Sequence, residues 1–253
     1  MKRYLWPDHP DFRVEGRDRD AAIVLLTSTA LLLLFFYWGR PSFYFANIVP
    51  NVLDAGTEPI DQATEVGAYL WWGMTSMVLR VGVPLLIVVW LLKKSPREFG
   101  FRFRGIGAHL PVYGLMYLVM LPVLIWVSSF ESFLSYYPFY SRASEGGLAF
   151  WLYELGYGLQ FVGVEAFFRG FMTFGLLPRL GALSVVVMTV PYTMIHFSKP
   201  MPEAVAAIVA GLVLGVLAVK SKSFVPGIFL HVAVAITMDL LVLARVGALG
   251  NLF

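Results

Sequence analysis

The sequence predicts an all-α fold, a polytopic transmembrane helical bundle of about seven spans with its N-terminus in the cytoplasm. Three observations carry this prediction. Of 253 residues, 58% are hydrophobic and only 14% charged, whereas soluble domains carry about 25% charged residues. The apolar residues fall into runs long enough to cross about 30 Å of hydrocarbon. Lys and Arg gather in short connections on one side of those runs, the bias that orients membrane helices. The net charge of +3 therefore reads as membrane orientation, and no nucleic-acid partner is expected. The lack of cysteine removes disulfides, thiolate nucleophiles and thiolate metal ligands, leaving Ser, His, Asp and Glu for any hydrolytic chemistry.

Residues 1–20 read as a cytoplasmic leader, because Asp8, Asp11, Glu15, Asp18 and Asp20 interrupt its basic residues, unlike a signal peptide. Residues 21–253 then form a single bundle. The first span runs from about Ala21 to Trp38 and ends at Gly39, Arg40 and Pro41. Ser42 to Glu65 holds Asp54, Glu58 and Asp61 with breakers at Pro50, Gly56 and Pro59, the pattern of an acidic exterior loop. The second span, about Gly67 to Leu92, closes on Lys93 and Lys94. The connection after it adds Arg97, Arg102 and Arg104 against the single acidic Glu98, which places it in the cytoplasm.

A third span, about Ala108 to Ser129, leads into an aromatic exterior connection containing Tyr136, Tyr137, Phe139 and Tyr140, side chains suited to the headgroup region. The fourth helix is unusually long, about Leu148 to Leu177, and Pro178, Arg179 and Gly181 stop it. The fifth, Leu183 to about Phe197, contains Pro191. The sixth begins after Pro202 and runs to Val219, with Gly211 and Gly215 spaced for close helix packing. Lys220 and Lys222 return the chain to the cytoplasm before the seventh span, about Pro226 to Ala244.

Ionisable residues within such spans are costly, and they mark partners, cavities or ions. Arg80 falls in the second span, Glu165 and Arg169 in the fourth, His196 in the fifth, and His231 and Asp239 in the seventh. Glu165 and Arg169 share a helix face at i,i+4 spacing, which forms a charge-neutralising pair. Arg80 is a second cation able to share Glu165 across the bundle. Two histidines with carboxylates and no cysteine admit a divalent site in which Glu165, His196 and His231 hold Zn²⁺ and lower the pKa of a bound water. A rise of about 1.5 Å per residue puts Glu165, His196 and Asp239 at similar depth and His231 nearer the cytoplasm. Asp239 is then the expected deeper partner of Glu165 and His196.

The segments VEAFFRGF (Val164 to Phe171), YTMIH (Tyr192 to His196) and HVAVAITMD (His231 to Asp239) resemble the ordered signatures of the CPBP intramembrane proteases, the family of CAAX prenyl proteases and bacteriocin-processing enzymes. The PREFGFR connection resembles that family as well, so the similarity covers about residues 95–243. The resemblance implies catalytic roles for Glu165, Arg169, His196 and His231, with Asp239 compensating for Ala235 where the family commonly has Asn. The family's first, water-activating glutamate maps to Val164. What the resemblance implies is metal-assisted or Glu165-assisted hydrolysis of peptide bonds in hydrophobic or lipidated peptides, with membrane lipids as surroundings and a bacterial inner membrane as location. Two other readings share the fold: a noncatalytic scaffold or chaperone, and a transporter.

Overall fold

In the computed structural model, which describes residues 16–52 and 60–252, every regular element is helical. Seven principal helices follow in order: α1 (Gly16–Trp38), α2 (Gln62–Leu91), α3 (Leu110–Val127), α4 (Gly147–Leu180), α5 (Leu183–Met194), α6 (Met201–Ser221) and α7 (Val225–Arg245). Six are long and apolar enough to cross a membrane, and α5 is not. The expectation of about seven spans is corrected accordingly. At about 1.5 Å per residue, the 12 residues of α5 reach about 18 Å, short of the hydrocarbon thickness of about 30 Å. The aromatic connection between α3 and α4 packs against the chain that follows α5. Its Tyr137 hydroxyl donates to Glu203 Oε2 at 2.6 Å and accepts from Lys199 Nζ at 3.1 Å, just past the end of α5.

Two boundaries also shift. Residues 1–15 of the expected leader lie outside the described residues, and Gly16 to Asp20 already belong to α1. Of the expected acidic loop, residues 53–59 lie outside the described residues, while Pro41 to Asn51 form short helical turns. Helix α2 starts ahead of Gly67 because Asp61 caps it, its carboxylate accepting the Thr64 N–H at 2.7 Å.

One face of the bundle gathers the basic connections. Arg179 at the end of α4 pairs with Asp18 in the first turn of α1, and Lys94 Nζ lies 3.9 Å from Asp20 Oδ2. Ser223, after α6, donates its hydroxyl to the Arg102 carbonyl at 2.7 Å. The start of α1 and the ends of α2, α4 and α6 therefore share a face.

Helix α4 is the axis of the fold. Its most apolar stretch is 83% buried, against 17 to 39% for the other five long helices. Those five leave large apolar side chains outward, such as Leu26, Trp90 and Leu115, as lipid surroundings permit. Helices α2 and α4 run side by side and touch through backbone: a Cβ on Gly73 would stand 2.5 Å from the Gly156 carbonyl oxygen, so any larger residue would part them. Gly211 and Gly215 of α6 instead make room for the side chains of Thr189 and Val185 of α5. Helix α3 lies on α7, joined by a Tyr117–Thr237 hydroxyl contact of 2.7 Å.

Candidate functional site

The polar centre of the bundle is built on the part of α4 where the helix widens. Residues Ala166–Phe174 take i→i+5 turns, a departure that concentrates at functional sites because it re-aims side chains. Glu165 and Arg169 lie at its start, both fully buried. Arg169 Nη1 is 3.1 Å from Glu165 Oε1, its Nη2 donates to the Ala210 carbonyl of α6 at 3.3 Å, and its guanidinium lies 3.8 Å over the Tyr192 ring. The i,i+4 ion pair expected from spacing is present.

His231 joins the same carboxylate. Its Nδ1 stands 2.9 Å from Glu165 Oε1. The depth mismatch expected for His231 is absent, and the first turn of α7 is itself buried in the bundle. Val225, Pro226 and Gly227 are buried, and the 93–104 connection folds over them, with the Phe101 and Phe224 rings 4.8 Å apart. Gly227 lets α7 close in on the carboxylate: a Cβ there would be 2.7 Å from Glu165 Oε2. That oxygen has no hydrogen-bond partner among the described residues.

His196 lies just beyond α5, buried, with Nδ1 2.8 Å from the Tyr192 carbonyl oxygen. A carbonyl can only accept, so this contact assigns the proton to Nδ1 and leaves a lone pair on Nε2. A carboxylate on Nδ1 of neutral His231 assigns the same tautomer. Both imidazoles lie against Tyr192, their ring centroids 4.8 Å (His196) and 6.4 Å (His231) from it, and Phe161 covers the other side of His231 at 4.3 Å. Two oriented, aromatic-walled imidazoles with free Nε2 positions can take protons from, or hold, a small polar molecule.

The remaining expected site residues sit elsewhere. Arg80 does not share Glu165. It is buried between α1 and α2 with its guanidinium 3.6 Å over the Phe35 ring, and its Nε and Nη1 have no hydrogen-bond partner among the described residues. Asp239 is not joined to Glu165 or His196. It accepts from the Tyr153 hydroxyl at 2.7 Å, two turns beyond His231, beside the buried Glu154. Glu154 escaped the sequence reading although a carboxylate inside an apolar run is itself the signal. The Lys199, Glu203 and Tyr137 cluster beside His196 was foreshadowed only by the i,i+4 spacing of Lys199 and Glu203, whose Nζ–Oε1 distance is 2.6 Å. Val164 is buried in an apolar cluster with Phe167 and Phe168.

The donor set does not present three protein ligands to one zinc ion. Among the described residues no group of three His, Asp or Glu side chains converges as metal ligands, and Glu165 Oε1 already meets Arg169 and His231. Catalytic zinc sites take three protein ligands.

A family model described as "Type II CAAX prenyl endopeptidase Rce1-like" matches residues 146–237, little more than a third of the chain. The matched stretch contains Glu165, Arg169, His196 and His231 and stops short of Asp239. No curated protein and no solved structure matches the chain.

Proposed function

We propose that this multi-pass membrane protein is an intramembrane peptidase that hydrolyses hydrophobic or lipidated peptides, with the start of α1 and the 93–104 connection facing the cytoplasm of a bacterial inner membrane. One observation supports the reading: Glu165 Oε1 and the Tyr192 carbonyl hold the two Nδ1 atoms at 2.9 and 2.8 Å, which leaves the Nε2 lone pair of each imidazole available as a base. In this mechanism Glu165 orients His231 and stabilises the imidazolium that forms, as a buried carboxylate does behind a catalytic histidine. His196 Nε2 holds a water by accepting one of its protons. His231 Nε2 removes the other proton as the water oxygen attacks the peptide carbonyl carbon, then returns it to the departing amine nitrogen as the C–N bond breaks. Arg169 fixes Glu165 and does not touch substrate. No step passes through a metal.

The test is cleavage of a membrane-peptide library by the purified protein and its H231A, H196A and E165Q variants, each with and without a chelator. Loss of a positioned acid–base group predicts falls of about 10² to 10⁴ in H231A and H196A, with chelation neutral. Equal product from all four proteins would discard the catalytic assignment. Abolition by chelation would restore zinc to the mechanism. Val164, apolar and buried where the resembling family carries its first glutamate, favours a noncatalytic scaffold as the second reading, and absence of product from wild type would select it.

A further inference from the structure

Among the described residues the two with positive φ other than glycine are both lysines, and both end helices on the basic face: Lys93 (φ 55°) after α2 and Lys222 (φ 54°) after α6. A helix-ending left-handed residue is ordinarily glycine, because a Cβ is strained there. Lysine favours the negative end of a helix dipole, but any place in the last turn supplies that without the strain. An outlier of this kind points to a use for the side chain itself.

The neighbourhood shows what that use is. Lys93, Arg97, Arg102, Arg104, Lys220 and Lys222 are all exposed, and none forms an ion pair among the described residues. The one carboxylate in the 93–104 connection, Glu98, is exposed and engaged locally, accepting the Ser95 backbone N–H at 2.9 Å. The Ser223–Arg102 bond draws the lysines of the α6–α7 turn beside this connection. Within the FRFR stretch, Phe101 packs on Phe224 while Phe103 stands 70% exposed between two arginines. An exposed phenylalanine rimmed by cations at a membrane face has the chemistry of an interfacial anchor, with its ring at the acyl boundary and its charges at headgroup phosphates.

We propose that this face is a docking surface for anionic phospholipid headgroups of the adjoining leaflet, anchored by Phe103 and read by Lys93, Lys222 and the arginines around them. The surface also touches the polar centre. Phe99 of the same connection stacks on Phe171 at 6.2 Å, within the widened part of α4 that carries Arg169. Lipid docking here stands or falls independently of peptide hydrolysis.

The test exploits the absence of cysteine. A nitroxide on Gly107→Cys, an exposed position in the turn after Phe103 with open space around an added Cβ, is the sole label on the full-length protein and leaves the phenylalanine in place, and its exposure to oxygen and to a water-soluble relaxant reports its depth. The protein is reconstituted in phosphatidylcholine vesicles and in phosphatidylcholine–phosphatidylglycerol vesicles. The expected result is deeper burial with phosphatidylglycerol, reversed by high salt. Native mass spectrometry should show phosphatidylglycerol retained over phosphatidylcholine, with about a fivefold loss of preference per basic residue removed. The double variant K93G/K222G relieves two strained residues, so it should melt no lower than wild type while losing at least tenfold in lipid preference. Equal label depth in both vesicle types would overturn the proposal, and so would K93G/K222G retaining the wild-type preference. Preferential retention of an acidic protein or nucleic acid, with the label left in water, would equally overturn it.

Discussion

The ion pair at the centre of α4 makes a quantitative demand. Glu165 and Arg169 are both fully buried, and Glu165 Oε1 is the shared acceptor of Arg169 and His231. Glu165→Gln preserves shape but leaves a guanidinium with one carbonyl contact and one aromatic face in an interior that solvates it poorly. Arg169→Met leaves a carboxylate with His231 alone. Removing one member of a buried pair typically costs about 3 to 5 kcal/mol, because the survivor's charge is uncompensated, whereas removing both leaves no orphan. The double variant should therefore lose far less than the summed single losses, with a coupling of about 2 to 3 kcal/mol, the upper range for residues in direct contact. Equilibrium unfolding in mixed micelles measures all three. Losses in the double variant equal to the sum of the singles, within about 0.5 kcal/mol, would refute the idea that these charges stabilise each other.

Arg80→Met should raise stability by about 1 to 2 kcal/mol in the same assay, since the cation–π contact with Phe35 offsets only part of the cost of an unpaired buried charge; destabilisation would mean that a counter-charge is present. Gly227→Ala should cost about 1 to 3 kcal/mol, because its Cβ would press on Glu165 Oε2 at 2.7 Å; a wild-type melting curve would contradict that approach. The Thr64 side chain and backbone N–H hold the Asp61 carboxyl below its usual range. A depressed folded-state pKa contributes stability above the unfolded-state value and loses it as pH falls through the folded value. Asp61→Ala should thus be less stable than wild type near neutrality, and the gap should narrow, leaving the neutral cap's share, once both are acidified past the capped carboxyl's titration. A gap of unchanged size in acid would remove the charge from the cap.

Much of this architecture was legible because hydrophobic runs and basic connections report membrane spans directly. The long α4 and its Glu165–Arg169 pair follow from run length and i,i+4 spacing alone. The apolar run of α5 continues to Phe197, while the helix stops at Met194, so run length alone overstates it. His231 was placed too shallow because depth counting assumes that every helix starts at the surface. No local pattern shows the 93–104 connection folding over Val225 and Gly227. Arg80 and Asp239 were recognised as unusual but joined to the wrong neighbours, since partner choice depends on which faces of α2 and α7 turn toward α4.

The account rests on two neutral imidazoles held by their Nδ1 protons, and ¹⁵N nuclear magnetic resonance of the histidine-labelled protein in lipid reads that directly. For His196 and His231 it predicts a protonated Nδ1 and an unprotonated Nε2 at neutral pH, with His231 losing this preference in Glu165→Gln and His196 keeping it. Protonated Nε2 on either residue in the wild-type protein would contradict the arrangement and the chemistry drawn from it.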